Sequence, residues 1–182
     1  MNNIVLIGFM GCGKSTVGIK LSYKLRRIVE DTDKLIEKKA GKSISDIFKE
    51  EGEPYFRQME TECLKELLHT KDEKILATGG GLPMRKENHV LLKQLGCVLY
   101  LRISPQCVYE RLKNDTSRPL LQCEDPLDRI RSLLAQRAPV YEEAADLVID
   151  VDGKDMEQII TEIVQKLRDY GYLPEEESSI SK

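Results

Sequence analysis

A glycine-rich loop between an apolar run and an amphipathic run constrains this chain more than any other feature. The apolar run is Ile4-Val5-Leu6-Ile7, and the residues after it match the pattern G-x-x-x-x-G-K-[ST] from Gly8 to Ser15. Glycines let successive backbone N–H groups point inward and hold phosphate oxygens at a helix N-terminus. In this pattern Lys14 reaches the β- and γ-phosphates, and the Ser15 hydroxyl binds Mg²⁺. The pattern therefore predicts a nucleotide phosphate site, for which we expect six residues: Gly11, Cys12, Gly13, Lys14, Ser15 and Thr16.

Short β-like runs alternate with longer amphipathic runs along the rest of the chain. The strand candidates are residues 4–7, 28–29, 74–77, 97–101 and 147–150. Between them apolar residues recur at helical spacing, as in Val17, Leu21 and Leu25. This alternation is typical of a parallel sheet covered by helices. The sequence therefore predicts an α/β fold.

Two acidic residues and a glycine triplet follow the second and third strand candidates. The carboxyl ends of adjacent parallel strands meet at one edge of the sheet, so Asp31 and Asp33 are placed to face the phosphate loop. One carboxylate can serve Mg²⁺ while the other orients or deprotonates a substrate hydroxyl. The alternative is a solvated turn or a helix cap. The triplet Gly79-Gly80-Gly81 indicates either close approach of backbone to a substrate or a flexible turn.

Three arginines, Arg57, Arg118 and Arg137, are candidate ligands for anionic groups. A guanidinium fork matches the geometry of carboxylate and phosphate, although most arginines are surface charges. Glu60 follows Arg57 by three residues on a predicted helix and can orient it. Arg118 lies in a polar stretch, residues 113–125, that is either a mobile lid or an ordinary surface loop.

The composition argues against several classes of protein. The net charge is −3, which offers no basic surface for nucleic acid. No apolar stretch approaches the ~20 residues of a membrane helix, and no secretory signal is present. The five cysteines are odd in number and scattered, which is typical of free thiols in a reducing compartment. We therefore expect a cytoplasmic protein with neither nucleic acid nor a membrane as partner, formed by one domain over residues 1–173 and a disordered tail over 174–182.

The ordered set of motifs resembles the shikimate kinase family over about residues 3 to 168. Besides the phosphate loop, five motifs carry the resemblance: Asp31-Thr32-Asp33, Phe56-Arg57 with Glu60, Gly79-Gly80-Gly81, Arg118-Pro119-Leu120-Leu121, and Gln136-Arg137-Ala138-Pro139-Val140-Tyr141. The resemblance implies a three-layer P-loop kinase fold with a five-stranded parallel sheet of order 2-3-1-4-5. It also implies that ATP, with one Mg²⁺, phosphorylates the 3-hydroxyl of shikimate in the biosynthesis of chorismate and the aromatic amino acids.

The resemblance also implies roles for the residues that bind the acceptor. Asp33 contacts the reactive hydroxyl as the candidate base, and Asp31 supports Mg²⁺ through water. Arg57 and Arg137 bind the shikimate carboxylate, and residues Gly79 to Gly81 line the ring.

On the nucleotide side, the resemblance implies that Lys14 and Arg118 are catalytic. Arg118 closes over the transferring phosphate and Arg111 lies near adenine. The substrate-binding region corresponds to about residues 32–61 and the lid to about residues 112–124. We expect a monomer.

Two departures from the family pattern and two competing functions stay open. The connection through Arg26-Arg27 lacks the glycine and the extra residue common in the family, which leaves the start of the second strand open. Met156 stands where many relatives carry a proline against adenine. Cys12 is either a small structural residue or a reactive thiol.

The competing functions are another P-loop kinase, for gluconate or a nucleotide, and a nucleotide-dependent regulatory module without transferase activity.

Overall fold

The computed structural model describes residues 3–115 and 123–174, which contain five strands and eight α-helices. The strands are β1 (Asn3–Ile7), β2 (Ile28–Asp31), β3 (Lys74–Ala77), β4 (Gly96–Arg102) and β5 (Leu147–Asp150). The helices are α1 (Lys14–Leu25), α2 (Thr32–Ala40), α3 (Ile44–Glu50), α4 (Glu53–Leu67), α5 (Lys86–Leu95), α6 (Pro105–Leu112), α7 (Pro126–Ala144) and α8 (Met156–Asp169). A 3₁₀ turn spans Leu82–Met84.

The five strands form one parallel sheet in the order β2-β3-β1-β4-β5. In the central strand, Val5 lies opposite Leu76 of β3 and Val98 of β4. Every residue of β1 is buried, as a central strand covered by helices on both faces requires. The predicted fold class and strand order are confirmed.

The second strand is longer than the sequence predicts, because it continues past Val29 to Asp31. Its start depends on Arg26, which ends α1 with a φ of 54°. A glycine usually takes this left-handed conformation at a helix end. In a residue with a side chain, the left-handed conformation costs roughly 1–2 kcal/mol. Arg26 nevertheless adopts this conformation and ends the helix, so that β2 begins at Ile28 without a glycine between them.

The buried side chain of Asn3 aligns the starts of the central strands. Its amide donates to the carbonyl of Leu95 at 2.9 Å, just before β4, and its oxygen accepts from the N–H of Lys74 at 2.8 Å, in β3. Because neighbouring strands run parallel, their carboxyl ends share one edge of the sheet. The phosphate loop, Asp31 and the glycine triplet all follow strand ends at this edge.

Some predictions fall on residues outside the described ranges. These are Arg118, most of the lid over residues 112–124, and the tail beyond residue 174. The domain limits stay a prediction. Within the described part of the chain, no helix has the length and apolar character needed to cross a membrane.

Candidate active site

The phosphate loop joins β1 to α1 with three glycines at positive φ. Gly8, Gly11 and Gly13 have φ values of 144°, 76° and 98°, which side chains disfavour. The ammonium of Lys14 folds back over the loop and donates to the carbonyls of Gly8 at 2.8 Å and Phe9 at 3.1 Å. The loop therefore presents backbone N–H groups and one ammonium at the start of a helix, which is an arrangement suited to anionic oxygens.

The two predicted metal ligands lie together at the sheet edge. The Ser15 hydroxyl donates to Oδ2 of Asp31 at 3.3 Å. The other oxygen of Asp31 caps α2 by accepting from the N–H groups of Asp33 at 3.0 Å and Lys34 at 3.4 Å. A hydroxyl and a carboxylate fit Mg²⁺, which prefers oxygen ligands and uses few protein groups beside substrate phosphates. Residues 3–115 and 123–174 gather no larger cluster of His, Cys, Asp or Glu able to hold a metal.

The carboxyl group of Asp33 has an unusual environment in the first turn of α2. Burial and then the neighbouring charge of Asp31 raise its pKa to about 6, although Lys14 and Arg57 oppose the rise. Its Oδ1 is buried, and no group in the described residues hydrogen-bonds to it. A buried oxygen without a donor is costly, so this atom is suited to accept a hydrogen bond from a hydroxyl.

Arg57 on α4 is held by two glutamates of the same helix. Its Nη1 donates to Oε2 of the buried Glu60 at 2.8 Å, and its Nη2 donates to Oε1 of Glu53 at 2.8 Å. Its guanidinium carbon also lies 5.4 Å from the centroid of the Phe56 ring. Burial raises the pKa of Glu60 to about 7, although Arg57 lowers it. The guanidinium fork is therefore oriented before any ligand arrives.

The glycine triplet is packed against the same acidic and basic groups. A Cβ atom on Gly79 would lie 2.6 Å from Oδ1 of Asp33 and 3.0 Å from Oε1 of Glu60, and one on Gly81 would lie 2.3 Å from Nη1 of Arg57. None of the three glycines has a left-handed φ. At Gly79 and Gly81, space rather than backbone conformation therefore favours glycine, and the groups that approach closely are the protein's own side chains. Contact of the triplet with a substrate stays a prediction.

Two further arginines approach the phosphate loop from helices α6 and α7. Arg111 donates from Nη1 to the carbonyl of Gly11 at 3.0 Å, and Arg137 lies 5.7 Å from the centroid of the buried Phe9 ring. Arg111 shares a cleft of about 750 Å³ with Met156. Arg111 therefore lies beside the loop, and its position near adenine stays a prediction.

This cleft collects most of the predicted site residues. All six residues of the predicted phosphate site line it, together with Arg111, Asp31, Asp33, Gly79 and Gly80. Gly81, Arg57 and Arg137 lie beyond its lining, and Gly81 is packed against Arg57. The predicted catalytic residue Arg118 lies outside the described residues.

Comparison with known proteins identifies one family over most of the chain. The family model described as shikimate kinase matches residues 10–168. The chain belongs to the shikimate kinase family. It is 46% identical over 166 residues to a shikimate kinase of Thermodesulfovibrio yellowstonii, covering 91% of this chain and 95% of that protein. It is 41% identical over 171 residues to one of Symbiobacterium thermophilum, covering 93% and 98%.

Solved structures support the family at the level of shape. Shikimate kinase from Acinetobacter baumannii in complex with shikimate superposes with a TM-score of 0.85 at 40% identity, covering 93% of this chain and 94% of that one. A deoxyadenosine kinase from M. mycoides with bound dATP has a TM-score of 0.59 at 19% identity, over 91% of this chain and 99% of that one. A gluconokinase from Sinorhizobium meliloti has a TM-score of 0.55 at 16% identity, over 92% of each chain. These last two share the fold alone. The predicted resemblance to the shikimate kinase family is confirmed by the family model and by the relatives.

Sequence reasoning gave no role to two side chains that hold the glycine triplet. The Thr32 hydroxyl accepts from the N–H of Gly79 at 3.2 Å, and the Tyr141 hydroxyl donates to the carbonyl of Gly80 at 2.7 Å. In the sequence, Thr32 stands between two acidic residues and Tyr141 stands one helical turn after Arg137. Neither position by itself indicates a hydrogen bond to the triplet. In this chain the two side chains therefore hold the loop that we expect to face the acceptor.

The raised pKa of Glu60 predicts that stability depends on pH. In the folded chain its carboxyl group holds a proton up to about pH 7, whereas its ordinary pKa is 4.5. The folded state therefore binds more protons than the unfolded state in this window, so the free energy of unfolding falls as pH rises through it. Between about pH 5 and about pH 8, we expect the stability of Glu60→Gln to gain about 2 kcal/mol relative to wild type.

Urea unfolding of both proteins at several pH values measures this difference. Glu62→Gln is the matched control, because it removes an exposed carboxylate from the same helix. We expect its stability to run parallel to wild type. A constant difference between Glu60→Gln and wild type would show that Glu60 titrates normally in the folded chain.

Proposed function

We propose that this chain transfers the γ-phosphoryl group of ATP to the 3-hydroxyl of shikimate, giving ADP and shikimate 3-phosphate. The observation that carries the proposal is the position of Asp33. Its unsatisfied carboxylate oxygen lies beside Gly79, in the cleft that also contains the phosphate loop and Lys14. A base and a phosphate site therefore share one cleft, as transfer to a hydroxyl requires.

The phosphate loop supplies position and charge. Phosphoryl transfer spreads negative charge over the equatorial oxygens, and prearranged donors that neutralise it lower the barrier. The loop N–H groups and the Lys14 ammonium are such donors. Ser15 and Asp31 are the residues that would hold Mg²⁺, one per site, which would neutralise charge on the β- and γ-phosphate oxygens.

Asp33 would act on the acceptor hydroxyl. With a pKa near 6, it is mostly ionised at neutral pH and still basic enough to take a proton, which is the balance that a general base needs. The hydroxyl proton passes to the carboxylate while the hydroxyl oxygen bonds to phosphorus and the bond to the ADP oxygen breaks. Oδ1 is the atom available for this hydrogen bond.

Arg57 and Arg137 would bind the acceptor carboxylate. Two guanidinium groups suit a carboxylate because each presents parallel N–H donors. Glu60 and Glu53 hold Arg57 in place, and the Phe9 ring supports Arg137. An anionic acceptor would thereby be fixed at its carboxylate end while a hydroxyl faces Asp33.

Three further assignments complete the proposal. Arg118 closes over the transferring phosphate with the lid, which would exclude water. Arg111 contacts the nucleotide near adenine. The enzyme works as a monomer in the cytoplasm, where the cysteines of the described residues, all free, would stay reduced.

Replacing Arg57 with alanine should weaken shikimate binding and spare the chemistry. Hydrogen bonds to charged groups contribute about 1.5–3 kcal/mol, so we expect the KM for shikimate to rise roughly 10- to 100-fold. The kcat and the KM for ATP should stay within about threefold. Steady-state kinetics in both substrates measure the split, and Lys65→Ala, an exposed cation on the same helix, is the control. An unchanged KM for shikimate would remove Arg57 from the carboxylate site.

An acceptor comparison tests the proposed function directly. ADP release from Mg–ATP is followed with no acceptor and with shikimate, quinate, gluconate and AMP. We expect turnover with shikimate to exceed every other condition. Turnover with a different acceptor would keep the kinase and change its substrate, and ATP binding without stimulated turnover would favour the regulatory module.

A further inference from the structure

Tyr141 makes a buried contact between α7 and the glycine triplet. Its side chain is fully buried, and its hydroxyl donates to the carbonyl of Gly80 at 2.7 Å across 61 residues of sequence. Burial raises the pKa of the phenol above its usual range. The hydroxyl therefore keeps its proton and donates this hydrogen bond throughout the physiological pH range.

The hydrogen bond to Gly80 sets the direction of the next N–H group. The peptide between Gly80 and Gly81 is planar and trans, so its N–H points away from the side to which its carbonyl points. With the carbonyl turned to Tyr141, the Gly81 N–H points away from α7. It makes no hydrogen bond within residues 3–115 and 123–174, and the Arg57 guanidinium lies directly against Gly81.

The same hydroxyl also neighbours the second arginine of the proposed carboxylate site. Arg137 lies one helical turn before Tyr141 on α7, so the two side chains leave the same face of the helix, and the positive charge of Arg137 opposes the rise in the pKa of the phenol that burial causes. Gly80 in turn lies between Tyr141 and the phosphate loop, because a Cβ atom there would be 3.4 Å from the carbonyl oxygen of Gly8 and 3.8 Å from the Tyr141 hydroxyl. The phenol therefore contacts the triplet from the same helix face that carries Arg137.

We infer that Tyr141 is a positioning residue whose hydroxyl turns the Gly80–Gly81 peptide so that the Gly81 N–H joins Arg57 and Arg137 as a donor to the acceptor carboxylate. The inference rests on the proposed function, which supplies the carboxylate. It adds the group that orients the backbone donor. Without the hydroxyl, the Gly80 carbonyl loses its partner, and the peptide is held only by the backbone bonds on either side of it, from Leu82 to Gly79 and from Met84 to Gly81.

A matched pair of variants separates this role from simple packing. Tyr141→Phe removes one hydroxyl and keeps the ring, which lies 5.1 Å from the ring of Tyr100. Tyr100→Phe makes the same deletion in this neighbouring ring, which is equally buried and whose hydroxyl has no hydrogen bond in the described residues. Each variant removes one buried hydroxyl oxygen from one of two neighbouring rings. Only Tyr141→Phe breaks a hydrogen bond to the glycine triplet.

Titration calorimetry measures how each variant changes the affinity for shikimate. The comparison ligand is an analogue of shikimate in which the carboxylate is reduced to a hydroxymethyl group. For Tyr141→Phe we expect shikimate binding to weaken about tenfold, the value for one hydrogen bond acting on a charged ligand. Binding of the reduced analogue and of ATP should change less than about twofold. Tyr100→Phe should match wild type with all three ligands.

A second measurement reports on the donor itself. In ¹H–¹⁵N spectra, we expect shikimate to shift the Gly81 amide in wild type and in Tyr100→Phe, and to shift it much less in Tyr141→Phe. The inference is overturned if Tyr141→Phe loses equal affinity for shikimate and for the analogue, or if its shikimate binding is unchanged. Failure of that variant to fold would also overturn it. If wild type binds ATP and neither binds nor phosphorylates shikimate, the proposed function fails first, and the inference fails with it.

Discussion

Replacing Asp33 with asparagine should lower kcat for shikimate phosphorylation by roughly 10²- to 10⁴-fold, the range that general-base catalysis contributes. Asparagine keeps the size of the side chain and one oxygen, but it cannot take the hydroxyl proton. The KM for ATP should change little, because Lys14 and the loop N–H groups stay in place. Coupled measurement of ADP release at saturating substrates gives kcat.

The same substitution should leave the fold intact or stabilise it. In the wild type, Oδ1 of Asp33 is a buried oxygen without a donor, and Oε1 of Glu60 is a second one that flanks the same point beside Gly79. The asparagine amide offers N–H donors to such an oxygen, and it removes the repulsion between Asp33 and Asp31 that raises the pKa of Asp33. We therefore expect an unchanged or higher melting temperature together with the loss of turnover.

Asp128→Asn is the control, since it makes the same change at an exposed acid in the first turn of α7. It should keep wild-type kcat. An Asp33→Asn enzyme with more than about a tenth of wild-type kcat would show that proton removal by this group is not needed.

Replacing Lys14 with methionine should lower kcat/KM for ATP by about 10²- to 10³-fold, as the removal of one donor to developing charge does in other enzymes. Methionine keeps an unbranched apolar stem and removes the ammonium. The loss also frees the carbonyls of Gly8 and Phe9, to which Lys14 donates. We expect a small fall in melting temperature, about 2–4 °C for each kcal/mol lost.

Lys20→Met tests whether any lysine of α1 matters in this way. Lys20 is exposed on the same helix, so its loss should leave the kinetics unchanged. Kinetics at saturating shikimate and calorimetry with ATP separate binding from turnover. Wild-type kcat/KM for ATP in Lys14→Met would contradict the assignment of the phosphate loop.

The sequence by itself determined the parts of this protein that depend on neighbouring residues. The phosphate loop could be recognised because its glycines, lysine and serine act within eight consecutive residues. The parallel sheet followed from short apolar runs alternating with amphipathic ones. Asp31 could be placed near Ser15 because parallel strands end at one edge, and the structure shows the two side chains 3.3 Å apart.

Only the tertiary structure decided which groups meet across long stretches of chain. Three consecutive glycines indicate that another group approaches the backbone closely. The sequence does not say that these groups are Asp33, Glu60 and Arg57, which come from two helices. The length of β2 depended on Arg26, whose left-handed conformation no local propensity favours. Tyr141 and Gly80 lie 61 residues apart, and their hydrogen bond exists because α7 packs beside the end of β3. Local patterns encode backbone conformation, whereas the burial and charge that shift a pKa or orient a peptide arise only when distant elements pack together.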